Sequence, residues 1–134
     1  MDRRDWQRLS LTRQREASVL LDAGEYAGAY YLCGYAVECA LKACVVKAIP
    51  PRTMPERHIV NDFYTHNLDK LLALTDLRPG LVADAGRRVN WQTVKDWSEQ
   101  SRYRADTTAV QARDLYRACT EPKIGVLPWL RKSW

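Results

Sequence analysis

Apolar positions recur every three to four residues along most of this chain, which is the period of an α-helix. In a first predicted helix over residues 4–23, Ala17, Leu20 and Leu21 fall at core spacing and Gly24 supplies the stop. A second helix over residues 25–48 is apolar on nearly all sides and must end at Pro50-Pro51, because proline lacks an amide donor and clashes with the preceding turn. A helix of that kind belongs in the middle of a bundle or at a subunit interface. Gly28 and Gly34 weaken it locally, so they read as points where a neighbour comes close.

A loop follows over residues 50–55, then a short helical or irregular piece over residues 59–64. Leu68, Leu71 and Leu72 mark a third helix after Thr65, and Pro79-Gly80 marks the next break. Residues 81–88 and 90–102 read as two consecutive helical pieces, the second capped by Asn90 and carrying Val94 and Trp97 on one side. Thr108 and Gln111 have capping-box spacing before a fifth helix with Ala112, Leu115, Tyr116 and Cys119 facing inward. The aromatic tail from Ile124 to Trp134 reads as docked, because exposed tryptophan is costly. No segment alternates as a strand does. The expectation is an all-α, up-and-down bundle of about five helices with a short C-terminal helical tail, in one domain over residues 1–134.

Composition narrows the class. With 46% hydrophobic and 28% charged residues the chain is neither disordered nor membrane-like. Its longest uncharged stretch, from Tyr26 to Val37, is too short for a bilayer. The start Met1-Asp2-Arg3-Arg4-Asp5 resembles no secretory signal, so a cytoplasmic location is expected. Cys33, Cys39, Cys44 and Cys119 lack zinc-ligand spacing and read as buried thiols, with no metal or cofactor expected. The net charge of +5 is uneven: residues 87–104 hold five basic and two acidic side chains, and residues 42–57 hold four and one. Such segments suit a polyanion, though a solvated basic face has the same composition.

Three sets of residues could carry chemistry. Glu38 and Lys42 stand four apart on the apolar second helix, in the favourable order for an ion pair. Among Tyr35, Val37, Cys39 and Leu41 that carboxylate needs a partner or a polar groove. His66 precedes the third helix, where a neutral, hydrogen-bonding imidazole is plausible, although a capping or packing histidine would fit there too. Trp97, Arg102, Tyr103 and Arg104 combine cations for phosphate with rings on which a base could stack, or else pack the aromatics and solvate the arginines. The chain has no glycine-rich phosphate loop, no serine or cysteine nucleophile signature and no two-histidine zinc helix.

The run Ala29-Tyr-Tyr-Leu-Cys-Gly-Tyr-Ala-Val-Glu-Cys-Ala-Leu-Lys-Ala43, followed by Tyr64-Thr-His-Asn-Leu-Asp-Lys-Leu-Leu72, resembles the HEPN domain family. Trp97, Ser101-Arg-Tyr-Arg104 and Gly125-Val-Leu-Pro-Trp129 extend the resemblance, which covers the chain from about residue 10 onward. The stretch from Gly34 to Lys42 is its most specific part, with one residue fewer than the family pattern between Glu38 and Leu41. The resemblance implies a helical bundle, commonly a homodimer, that works on RNA or nucleotides. It also implies a setting in toxin–antitoxin or defence systems, or beside a nucleotidyltransferase partner.

Many HEPN domains are metal-independent ribonucleases with an arginine followed, after four to six residues, by a histidine. Here the positions after Arg102 are Thr107, Thr108 and Ala109, so that motif is absent. Arg52 and His58 have the spacing but lie beside the loop after the second helix, away from the family's site. The leading expectation is therefore a module binding RNA or a nucleotide through Glu38, Lys42, Trp97, Arg102, Tyr103 and Arg104. One alternative is a ribonuclease using His66 as acid or base and Arg102 to stabilise the transition state. The other is a helical interaction domain with no nucleic-acid role.

Overall fold

Asp2 opens the first helix by a reciprocal cap: its carboxylate accepts from the Asp5 amide, and the Asp5 carboxylate accepts from the Asp2 amide. This helix, α1 (Arg3–Asp22), ends at Gly24, whose φ of 78° turns the chain back into α2 (Tyr26–Ala48). So short a turn makes the two helices antiparallel neighbours, and they pack together along most of their length. The structure is a computed structural model describing residues 1–134.

The second helix is the axis of the fold. Every residue over positions 36–45 is buried, and α2 is in contact with elements from both halves of the chain. It is the one helix long and apolar enough to cross a bilayer, and most of that apolar stretch is enclosed by the rest of the bundle. Around it stand α3 (Arg57–Phe63), α4 (Leu68–Ala73), α5 (Arg78–Val82), α6 (Ala85–Lys95), α7 (Ala109–Thr120) and α8 (Val126–Arg131). A short 3-10 turn, Glu99–Tyr103, links α6 to α7 and packs on α2.

The all-helical bundle agrees with the periodicity, but it contains eight α-helices rather than about five. Two local choices explain the difference. Pro79 does not break a helix; it occupies the first turn of α5, where its missing N–H costs nothing. Asp84, not Asn90, starts α6, because its carboxylate accepts the Arg87 amide. Asn90 lies within α6 and donates its side-chain amide to the Ile124 carbonyl at 2.9 Å. The helix expected to reach residue 102 stops at Lys95, and Trp97 turns into the core from the link that follows.

The capping box of Thr108 and Gln111 forms as its spacing predicts. The tail is docked: Val126, Leu127 and Leu130 are fully buried in α8, and Trp129 nearly so. All four cysteines are buried and free. Burial pushes the thiols of Cys39 and Cys44 up to about 12. Burial, with Cys33 alongside, raises the Cys119 thiol as well.

Candidate functional site

Glu38 lies in the middle of α2 with 1% of its surface exposed, and two cationic or potentially cationic groups meet one of its oxygens. Lys42 Nζ stands 3.4 Å from Oε1, one helical turn on, and is itself buried. His66 Nδ1 approaches the same oxygen to 2.5 Å from the segment between α3 and α4. The four-residue spacing brings Lys42 to Glu38; only the tertiary fold brings His66, 28 positions away. The ammonium of Lys42 is further surrounded by rings, 5.1 Å from the centre of Trp6 and 5.5 Å from that of Phe63. Trp6 and Phe63 meet edge to face, so α1 and α3 close over the lysine together.

A carboxylate has no proton to give, so the short contact requires His66 to donate from Nδ1. Its other nitrogen, Nε2, makes no hydrogen bond within the chain, and the side chain remains about half exposed (47%). Behind the ring is a buried ion pair; in front of it is a cleft of about 360 Å³ lined by Thr65, His66, Asn67, Trp97, Ser98 and Glu99. Most polar groups of this lining are engaged locally. Thr65 Oγ1 accepts the Asn67 amide, Asn67 Oδ1 accepts the Lys70 amide as the cap of α4, and Ser98 Oγ accepts the Gln100 amide. Glu99 also lines the cleft. The little burial this carboxyl has would raise its pKa, but the Glu99 amide, Gln100, His66 and Ser98 together outweigh that and hold it below the ordinary range.

Trp97 forms the floor of the cleft and is buried, lying over Gly34 and stacked on Tyr31 at 6.1 Å between ring centres with the planes inclined by 23°. A Cβ at position 34 would sit 2.2 Å from the indole, so glycine is what lets this ring pack on α2. Its indole N–H has no partner. With its ring faces taken up by Gly34 and Tyr31, Trp97 shapes the cleft and does not offer a stacking surface to solvent.

The 3-10 turn that begins at the cleft presents the remaining candidates. Arg102 is exposed, holds its guanidinium 4.8 Å from the centre of the Tyr103 ring, and forms no ion pair. Tyr103 chiefly, with Tyr31, raises the pKa of that guanidinium, which stays charged. Tyr103 is 72% exposed. Arg104 pairs with Asp106 at 3.3 Å.

The candidates thus divide into two groups. Glu38, Lys42, His66 and Trp97 assemble at and behind the cleft, while Arg102, Tyr103 and Arg104 lie on the turn beyond it and do not line it. The Glu38–Lys42 pair is a buried one rather than a groove lining. Sequence reasoning passed over Trp6, Phe63, Tyr31 and Glu99. Trp6 was recoverable: it stands at helical spacing with Ser10 and Ala17, which face α2, and Ser10 donates to the Ala36 carbonyl at 2.7 Å. Phe63 and Glu99 gave no such signal, since their roles depend on how short segments fold back. No family model, no curated protein and no solved structure matches this chain.

Proposed function

We propose that this chain is a HEPN-like helical module that binds single-stranded RNA or a nucleotide, with the turn Glu99–Tyr103 as its contact surface. The observation that carries the reading is the pairing of Arg102 and Tyr103: an exposed guanidinium with no acidic partner, set over an exposed ring. A free guanidinium is suited to a phosphate, and an exposed phenol ring to a base, and both are needed to hold a single strand without reading its sequence. Arg104 adds a second cation beside them, partly offset by Asp106. The overall charge of +5 acts in the same direction. The same resemblance supports a homodimer working in a toxin–antitoxin system or beside a nucleotidyltransferase.

The direct test is a gel-shift titration of labelled single-stranded RNA with wild type and Arg102→Ala. Arg102 is exposed and its loss leaves the core untouched, so a weaker shift reports lost contact rather than lost fold. Equal shifts would remove Arg102 from the interface and the reading with it.

A metal-independent ribonuclease is the second reading, favoured by the 2.5 Å contact between Glu38 and His66. A carboxylate holding Nδ1–H orients an imidazole and leaves Nε2 to take or give a proton. Cutting of RNA by wild type in EDTA, lost in His66→Ala, would establish it. Intact RNA with wild type would leave His66 as a binding group only.

A further inference from the structure

We infer that a second cleft, between α4, α5 and α6, binds a phosphate monoester held by Arg78, Arg88 and Lys95 and oriented by Asp69. This cleft has a volume of about 300 Å³, and the turn bearing Arg102 contributes nothing to its lining. Arg88, Gln92 and Lys95 follow one another at four and three residues along α6, so a single face of that helix brings all three into it. Arg78, in the first turn of α5, and Asp69, in the first turn of α4, line it from the other two elements.

Most of the donors in this lining have no acceptor within the chain. The side chains of Lys95 and Gln92 form neither an ion pair nor a hydrogen bond. Arg78 stands 3.8 Å from Asp69 Oδ1, beyond a hydrogen bond, and its side chain is half exposed. The same oxygen accepts the Trp91 indole N–H at 3.0 Å, which pins the carboxylate in place. Arg88 gives one N–H to the Val82 carbonyl, an anchor that leaves the rest of its guanidinium to a ligand. Three cations against one carboxylate leave the lining with an excess of two positive charges. A phosphate monoester matches that excess, with about two negative charges at pH 7 and three terminal oxygens that accept from several directions. A phosphodiester inside a strand brings a single charge, and a carboxylate brings its oxygens in one plane. Asp69 Oδ2, which has no partner, repels phosphate but accepts a hydroxyl, so it orients a monoester attached to a polyol such as a sugar. The volume is at the small end of ligand pockets, the size of a sugar phosphate. That group arrives either as a free sugar phosphate or as the 5′-terminal phosphate of a strand.

The test is equilibrium dialysis of radiolabelled ribose 5-phosphate against wild type, Lys95→Met and Gln92→Glu, with unphosphorylated ribose as the neutral control. Lys95→Met keeps the aliphatic stem and removes the charge. Gln92→Glu changes an exposed side chain without a partner and adds a negative charge to the same face. A thermal melt confirms that both variants are folded. Wild type is expected to retain ribose 5-phosphate and not ribose, and each variant to bind it at least about tenfold more weakly, the worth of one charge-assisted hydrogen bond. Failure of wild type to retain ribose 5-phosphate at millimolar concentration would overturn the site. A folded variant that binds as tightly as wild type would overturn it too, reducing the binding to loose attraction by a basic protein. Single-stranded RNA ending in a 5′-phosphate or a 5′-hydroxyl separates the two sources. Tighter binding of the phosphorylated strand, lost in Gln92→Glu, makes the strand's end the ligand, and equal binding of the two strands leaves the free sugar phosphate. Binding of neither strand would remove the strand reading alone, because the dialysis contains no RNA.

Discussion

At Glu38 one buried oxygen serves both Lys42 and His66, and of these the buried Lys42 carries the larger consequence for stability when Glu38 is removed. Desolvating Glu38 and Lys42 offsets most of their attraction, so the pair adds little net stability while intact. Removing one member leaves the other charge buried. Glu38→Ala is therefore expected to cost about 3–5 kcal/mol in denaturant unfolding, and Glu38→Leu combined with Lys42→Met distinctly less. A double variant as unstable as the single one would mean that packing, not charge, sets the cost. The thiols make a separate prediction. Cys39 and Cys44 titrate near 12 in the folded chain against a usual value of 9.0. Above about pH 9 the unfolded chain gives up thiol protons that the folded chain keeps, so stability falls as pH rises from there toward 12. Below that window the thiols stay protonated, and alkylating reagents should reach none of the four cysteines until the protein unfolds.

At the level of elements, Gly34 is the hinge between sequence and site. It lies on a helix otherwise filled with apolar side chains, and its only visible sign in the sequence is that it lowers helix propensity. The structure shows what the gap admits: the Trp97 indole, which holds the 3-10 turn against α2 and forms the floor of the cleft. Gly34→Ala would drive a methyl into that ring, so the turn must move. The expected outcome is a loss of about 1–3 kcal/mol, read as a lower melting temperature, together with weakened RNA binding. Unchanged stability would mean that the indole relocates at no cost. The first, second and fifth predicted helices were legible because long apolar stripes and caps such as Thr108 with Gln111 agree locally. Residues 78–103 were not. There α5, α6 and the 3-10 turn are short pieces whose boundaries are set by Asp84 and Ser98 caps and by Trp97 turning inward, and periodicity does not register such features.

Across the whole molecule, charge and burial separate what the sequence had left together. Glu38 and Lys42 were legible as a pair from spacing alone, but whether they were buried or lined a groove was not, since the apolar run around them allows either. That His66 would join them was not legible, because it depends on α3 and α4 folding back over α1 and α2. Trp97, grouped in the sequence with Arg102 and Tyr103, is interior, while its two neighbours remain on the surface. What remains exposed is a guanidinium and a phenol on the 3-10 turn, the surface proposed to hold the strand. The most direct measurement is fluorescence anisotropy of labelled single-stranded RNA with wild type and Arg102→Ala across a series of salt concentrations. Wild-type affinity is expected to fall as salt rises, and Arg102→Ala to bind more weakly with a log–log slope shallower by about 0.7, one phosphate contact on a single strand. Wild-type binding that ignores salt, or an identical slope in Arg102→Ala, would contradict placement of the strand on that turn.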